Sequence, residues 1–197
     1  MTSACSNTHL DVTGLVLGDA VLGKGSRLCP ITDKNGAAVF WRPQPFMDIA
    51  FEPVGYNDPD AVRVNLSLRP TQEVTDAVRQ LDAYLIAYIA HHSERVLGKC
   101  MDEATVRDRY QSCLKSSERY PAPTLRCKLT HSGRGAVKIW NEAGLPRTAP
   151  DSWVYCGARV HLQLKSVYVM AGGKEFGPIL EVRDVQLAEP EQACPFI

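Results

Sequence analysis

Lys138 and Trp140 stand two residues apart, as do Trp153 and Tyr155, and Arg126 and Lys128. On an extended chain such pairs share a face, because successive side chains point to opposite sides. Arg159 recurs with His161, Gln163 and Lys165 in the same rhythm, Arg42 follows Trp41, and Lys174 sits in a glycine-rich turn. Rings offer flat faces on which bases stack, at about 1–3 kcal/mol per base, while cations meet phosphates. The chemistry these residues could do is capture of a single-stranded nucleic acid. Phosphates would meet Arg126, Lys128, Lys138, Arg159 and Lys165, and bases would stack on Trp140, Trp153 and Tyr155. Arg42 and Lys174 complete the expected contact set.

Patterns for covalent or metal chemistry are not evident. Gly172-Gly173-Lys174-Glu175-Phe176-Gly177 has glycines and a lysine, but Glu175 stands where a phosphate loop needs Ser or Thr, and a strand follows instead of a helix. It reads as a hairpin turn. Leu22-Gly23-Lys24-Gly25-Ser26-Arg27 lacks the full pattern too and reads as a connector. There is no nucleophile elbow, no HExxH helix and no kinase-like lysine set. His91 and His92 lack metal-ligand partners at helical spacing, and the seven cysteines are widely spaced with no CxxC pair. The expectation is a protein that is not an enzyme and uses no metal or cofactor.

The elements that must hold these side chains can be read from periodicity. Ala158 to Gln186 reads as two long strands around the glycine turn. Val160, Leu162 and Leu164 alternate with polar neighbours on the way out. On the return, Ile179, Glu181, Arg183 and Val185 alternate with Leu180, Val182, Asp184 and Gln186. Val62, Val64, Leu66 and Leu68 mark a half-buried strand. Thr124–Leu129, Ala136–Trp140, Ala37–Trp41 and Asp48–Val54 mark shorter ones, and Leu10–Ala20 opens the chain loosely. Between them, apolar residues at Val74, Val78, Leu81, Leu85 and Ile89 recur three and four apart. This predicts a helix capped by Thr71 and stopped by Gly98. A second helix is expected from Asp102 to about Leu114. The predicted fold is mainly β with a helical insertion (α+β). It is an antiparallel barrel of the oligonucleotide-binding type with two helices inserted around residues 71–114. One domain covers 1–187, and 188–197 form a C-terminal tail.

Net charge is zero over 197 residues, which argues against a chain-wide polyanion binder. Its distribution is uneven: residues 98–174 carry 13 Lys and Arg against 6 Asp and Glu, and both flanks are acidic. No apolar leader follows Met1 and no membrane span is evident, so an intracellular, reducing compartment with free thiols is expected. The same sheet could instead meet protein in a virion or scaffold component, a reading the neutral overall charge supports.

Trp153-Val154-Tyr155, the strand ending Ser166-Val167-Tyr168, Lys174-Glu175-Phe176-Gly177 and Leu180-Glu181-Val182-Arg183-Asp184-Val185 resemble the C-terminal part of viral single-stranded-DNA-binding proteins. These are the proteins of short-tailed phages and their relatives in large DNA viruses. The resemblance implies an oligonucleotide-binding barrel with a helical insertion matching Pro70 to Leu114. It further implies a protein that coats single-stranded DNA (RNA being the other candidate) during replication, recombination or repair, and that can form a homodimer. It places the protein in the cytoplasm or nucleus of an infected cell. The family's acidic, aromatic-tipped tail looks like Glu189 to Ile197, shorter and less acidic here. Such a tail competes for the basic groove or docks replication and recombination proteins.

Overall fold

The computed structural model describes residues 8–22, 25–55, 58, 61–133, 135–154 and 156–188. Tyr155 and the segment Glu189 to Ile197 lie outside these residues. Among the described residues eleven strands are formed: β1 (Val16–Leu17), β2 (Val21–Leu22), β3 (Ser26–Thr32), β4 (Val39–Trp41), β5 (Met47–Phe51), β6 (Arg63–Leu68), β7 (Leu114–Lys115), β8 (Thr124–Thr130), β9 (Lys138–Trp140), β10 (Gly157–Met170) and β11 (Phe176–Ala188). Three helices separate β6 from β7: α1 (Gln72–His91), α2 (Ser93–Leu97) and α3 (Glu103–Arg109). The protein is mainly β.

Hydrogen-bonded pairings return on themselves, β10 to β5, β5 to β6, β6 to β8, β8 to β11, and β11 back to β10. Most pairs are antiparallel, but β11 meets β8 and β9 in parallel, so the sheet is mixed where an antiparallel one was expected. β3, which pairs with β10, begins at Ser26 and Arg27, where the sequence reads as a connector, and Pro30 hides the alternation beyond them.

The hairpin carries the core. Ala158, Val160, Leu162 and Leu164 on β10 face Leu180, Val182, Val185 and Leu187 on β11, all buried. Its pairing slips twice. Between His161/Asp184 and Leu162/Val182 an extra residue, Arg183, stands on β11. Between Leu164/Leu180 and Ser166/Ile179 the extra residue is Lys165 on β10. A bulge re-aims side chains beyond it. Val185 therefore goes inward with Leu180 and Val182, not outward with Glu181 as strict alternation predicts, and both extra residues are cations left on the outer face.

α1 packs Val74, Val78, Leu81, Leu85 and Ile89 against the sheet, its Thr71 Oγ1 accepting from the Val74 N–H at 3.4 Å. α2 ends at Gly98, whose φ of 76° is the left-handed turn that favours glycine. Asp102 caps α3 by accepting from the Thr105 N–H at 2.7 Å. That helix stops at Arg109 instead of continuing to Leu114. Burial pulls residues 110–113 into an extended run that pairs with the hairpin: the Gln111 N–H donates to the Phe176 carbonyl at 2.8 Å. Gly177 is required here, since any Cβ would collide with the Gln111 carbonyl. Asp82 on α1 fixes the same run, accepting from the Tyr110 hydroxyl at 2.8 Å and the Ser112 hydroxyl at 2.5 Å.

Candidate nucleic-acid interface

The two bulge cations define the first part of the site. Lys165 Nζ lies 2.5 Å from Glu181 Oε2, Arg183 Nη1 lies 3.0 Å from Glu181 Oε1, and Arg63 of β6 approaches Oε2 at 3.4 Å. Glu181 is only 4% exposed. Burying a carboxylate costs several kcal/mol unless charges and hydrogen bonds compensate, and three partly solvated cations do so here. One negative charge thus holds three positive ones. Cross-strand register sets Asn65 of β6 and Glu181 of β11 on either side of Lys128 of β8.

Beside this cluster lies a cavity of about 480 Å³ between β6, β8, β11 and the run before β7. Arg63, Lys115, Arg126 and Lys128 line it, and no Asp or Glu does. Burial, then the positive charges of Arg63 and Arg126, lowers the Lys128 pKa. Burial, then Arg126, lowers that of Lys115, whose Nζ donates to Gln111 Oε1 at 2.9 Å. The cations here crowd one another. Asn65 Oδ1, on the cavity wall, is the one buried side-chain nitrogen or oxygen without a hydrogen-bond partner among the described residues. Tyr168 adds a half-buried ring, its hydroxyl pKa raised by burial and then by Glu175. Cys113 is buried, its thiol pushed up to about 12 mainly by desolvation, so it is no nucleophile.

A second recess, about 420 Å³, opens at the other end of β10 among Arg42, Trp140, Arg159, His161 and Asp184. Asp184 organises it. Trp140 Nε1 donates to Asp184 Oδ1 at 3.1 Å, and His161 Nδ1 lies 3.0 Å from Oδ2. The Arg159 guanidinium rests over the Phe46 ring at 4.4 Å and donates to the Gln44 carbonyl at 2.7 Å. Between the recesses runs the outer face of β10, Arg159, His161, Gln163 and Lys165 in one row.

The predicted contact residues divide accordingly. Arg126 and Lys128 share the first cavity, and Arg42, Trp140 and Arg159 share the second recess. Lys165 lies between, engaged by Glu181. Lys138 is exposed on β9, paired in register with Asp184, and Lys174 is exposed in the hairpin turn; neither lines these two recesses. Trp153 is corrected: it is 4% exposed, and its backbone N–H is held by the Glu52 carboxylate at 3.0 Å, so it offers no face to a base. A tryptophan beside a polar turn carries no sequence mark of which way its ring goes. Arg63, Asn65, Lys115 and Arg183 were not in the expected contact set, whereas Tyr168 had been a candidate ring for base contact. For Arg63 and Asn65 the signal was present, as polar members of the alternating β6 run. Among the described residues no group of three or more His, Cys, Asp or Glu is arranged to hold a metal ion. No described helix is long and apolar enough to cross a membrane.

No family model and no curated protein matches this chain. Among solved structures it is similar to gp2.5, a single-stranded DNA binding protein encoded by bacteriophage T7. The identity is 12%, the TM-score 0.50, and the match covers 80% of this chain and 90% of that one. It also matches the single-stranded DNA-binding protein from bacteriophage Enc34, solved in complex with ssDNA. There the identity is 12%, the TM-score 0.46, and the coverage 92% of this chain and 98% of that one. At such identity the likeness to gp2.5 is one of fold.

Proposed function

We propose that this chain is a non-enzymatic single-stranded-DNA-binding protein of the phage type, coating strands during replication, recombination or repair. The observation that carries the reading is the cavity on the β6–β8–β11 face, with four cations, no lining carboxylate and an amide oxygen without a partner. Lysines whose charged forms are disfavoured by burial and by neighbouring arginines gain most from an anion, which restores what desolvation removed. A flexible strand can reach recessed ammonium groups and still lay its bases against Tyr168 and Trp140, whereas a stiff duplex holds its phosphates on a convex surface. The closed strand circuit with helices between β6 and β8 is read as the oligonucleotide-binding barrel with its insertion.

In this reading phosphates run from Arg63, Lys115, Arg126 and Lys128 along the outer face of β10 past Lys165 to Arg159 and Arg42. Lys138 and Lys174 contribute at the margins. Homodimer formation, action in the cytoplasm or nucleus of an infected cell, and recruitment of replication or recombination proteins through 188–197 belong to the same proposal. The alternative, a virion or scaffold component, uses this face for protein. Fluorescence anisotropy with labelled oligo-dT, oligo-U and duplex, each across a salt series, tests the reading. Binding to oligo-dT should exceed binding to duplex, with log affinity falling by about 0.7 per phosphate neutralised for each tenfold rise in salt. Absence of oligo-dT binding at low salt, with self-association in its place, overturns it.

A further inference from the structure

β5 ends in a departure from its own pattern. Met47 and Ile49 are buried, and alternation would send Phe51 after them. The pairing with β6 slips instead: Ile49 faces Leu68, but Phe51 faces Ser67, so one extra residue stands on β5 between them. The bulge turns Phe51 to the opposite face, where its ring is 44% exposed. It does not stand alone. Tyr120, 47% exposed, meets it edge to face, with ring centroids 5.7 Å apart and planes at 75°. Tyr120 is fixed by a tight turn in which Ser117 and Tyr120 exchange both backbone hydrogen bonds at 3.0 Å. The Arg119 guanidinium lies 5.4 Å from the Tyr120 ring centre.

The position of this ring pair relative to the cations follows from register. Phe51 pairs with Ser67, and Ser67 pairs with Arg126. Directly paired residues point to the same side of a sheet, so Phe51 and Arg126 belong to one outer row two strands apart, about 10 Å between backbones. Arg126 is a wall of the cationic cavity. Glu52, next to Phe51 in sequence, is engaged elsewhere: it accepts from the Ser152 hydroxyl at 2.5 Å and from the Trp153 and Val154 N–H groups, while Glu118 is exposed in the Tyr120 turn. Two rings are thus presented to solvent at the end of a cation row, flanked by Arg119 and Arg126.

From this placement we infer that Phe51 and Tyr120 form a base-stacking subsite for the strand held in the Arg126 cavity. A nucleobase lies against Phe51, Tyr120 walls its edge, and Arg119 and Arg126 hold the flanking phosphates. The inference rests on the single-stranded-DNA reading above and gives it a direction, since the strand must leave the cavity past β8 and β6 toward β5.

The test compares Phe51→Leu, Tyr120→Leu and Phe51→Trp with the unaltered protein on oligo-dT and on the same oligonucleotide carrying abasic positions, over a salt series. Phe51→Leu keeps apolar bulk at a half-exposed position, so its thermal transition should match the unaltered protein. The expected result is a loss of oligo-dT affinity of about 5- to 150-fold, the size of one base stack, with the salt slope unchanged. The leucine variant should also discriminate less between intact and abasic strands, and Phe51→Trp should retain affinity with its added indole emission quenched by oligo-dT. Tyr120→Leu, in a loop, should reproduce the leucine result if the first variant folds poorly. Normal binding by both leucine variants, while loss of Lys128 weakens it, overturns the subsite and leaves the cationic groove standing. Loss of self-association instead of DNA affinity would assign the rings to protein contact and equally overturn it. Failure of the unaltered protein to bind oligo-dT removes the functional reading itself.

Discussion

Replacing Lys128 by methionine should move two measurements in opposite directions. Lys128 stands between Asn65 and Glu181 in the cross-strand row, and burial with Arg63 and Arg126 beside it lowers its pKa. Between its folded and unfolded pKa values the unfolded chain binds more protons, so stability rises with pH across that window. Below the window the charging penalty is fully present, as it is at neutral pH. Methionine keeps the apolar stem and removes the charge, so the free Lys128→Met protein should melt higher than the unaltered one at pH 7. The gap should close as pH climbs toward the ordinary lysine range. DNA binding should weaken. The four cations lining the cavity contribute about −2.8 to the log–log salt slope at about −0.7 per phosphate, falling to about −2.1 with three, so the slope should become shallower by about 0.7. Between 50 and 200 mM salt the unaltered protein should then lose about 2.6-fold more affinity than the variant. Differential scanning fluorimetry across pH and anisotropy across salt give both readouts. A lower melting temperature, or an unchanged salt slope, would refute the argument that Lys128 is a strained, preformed phosphate ligand.

The other predictions concern the surroundings of the groove. Glu181→Gln removes the negative charge shared by Arg63, Lys165 and Arg183, and oligo-dT should bind more tightly with a steeper salt slope; weaker binding by anisotropy would contradict this. Trp41 and Trp153 are buried and Trp140 is half-exposed, so quenching of intrinsic tryptophan emission by oligo-dT should vanish in Trp140→Phe. Trp153→Ala should instead cost about 3–5 kcal/mol of stability in denaturant unfolding, as expected of a core indole. Burial raises the pKa of Asp82 despite its hydrogen bonds to Ser112 and Tyr110. The folded state therefore binds more protons between Asp82's unfolded and folded pKa values, and this contribution to stability falls as pH rises through that window. Compared with Asp82→Asn, the unaltered protein should gain stability as pH drops from neutral toward 4, read from melting curves of both.

Much of the scaffold was readable because its signals are local. The alternation of Val160, Leu162 and Leu164 dictates which side of β10 is buried. Thr71, Gly98 and Asp102 mark helix ends through hydrogen bonds made within a few residues. The shared faces of Arg126 with Lys128 and of Arg159 with Lys165 follow from the two-residue period alone. The extension of residues 110–113 was not readable, since it depends on Asp82 and Phe176, far away in sequence. Nor was β3, whose strand character comes from β10 beside it.

The sequence by itself determined a mainly β chain interrupted by helices, with its cations concentrated in residues 98–174 and the buried faces of β6 and β10 set by alternation. Tertiary structure alone decided which of those cations stand together and which rings meet water. Lys165, Arg183 and Phe51 owe their directions to bulges, and a bulge exists only where two paired strands disagree by one residue. Trp153 went inward and Tyr120 outward with no bulge beside them. A ring's exposure depends on what the rest of the chain packs over it, and no period in the local sequence records that.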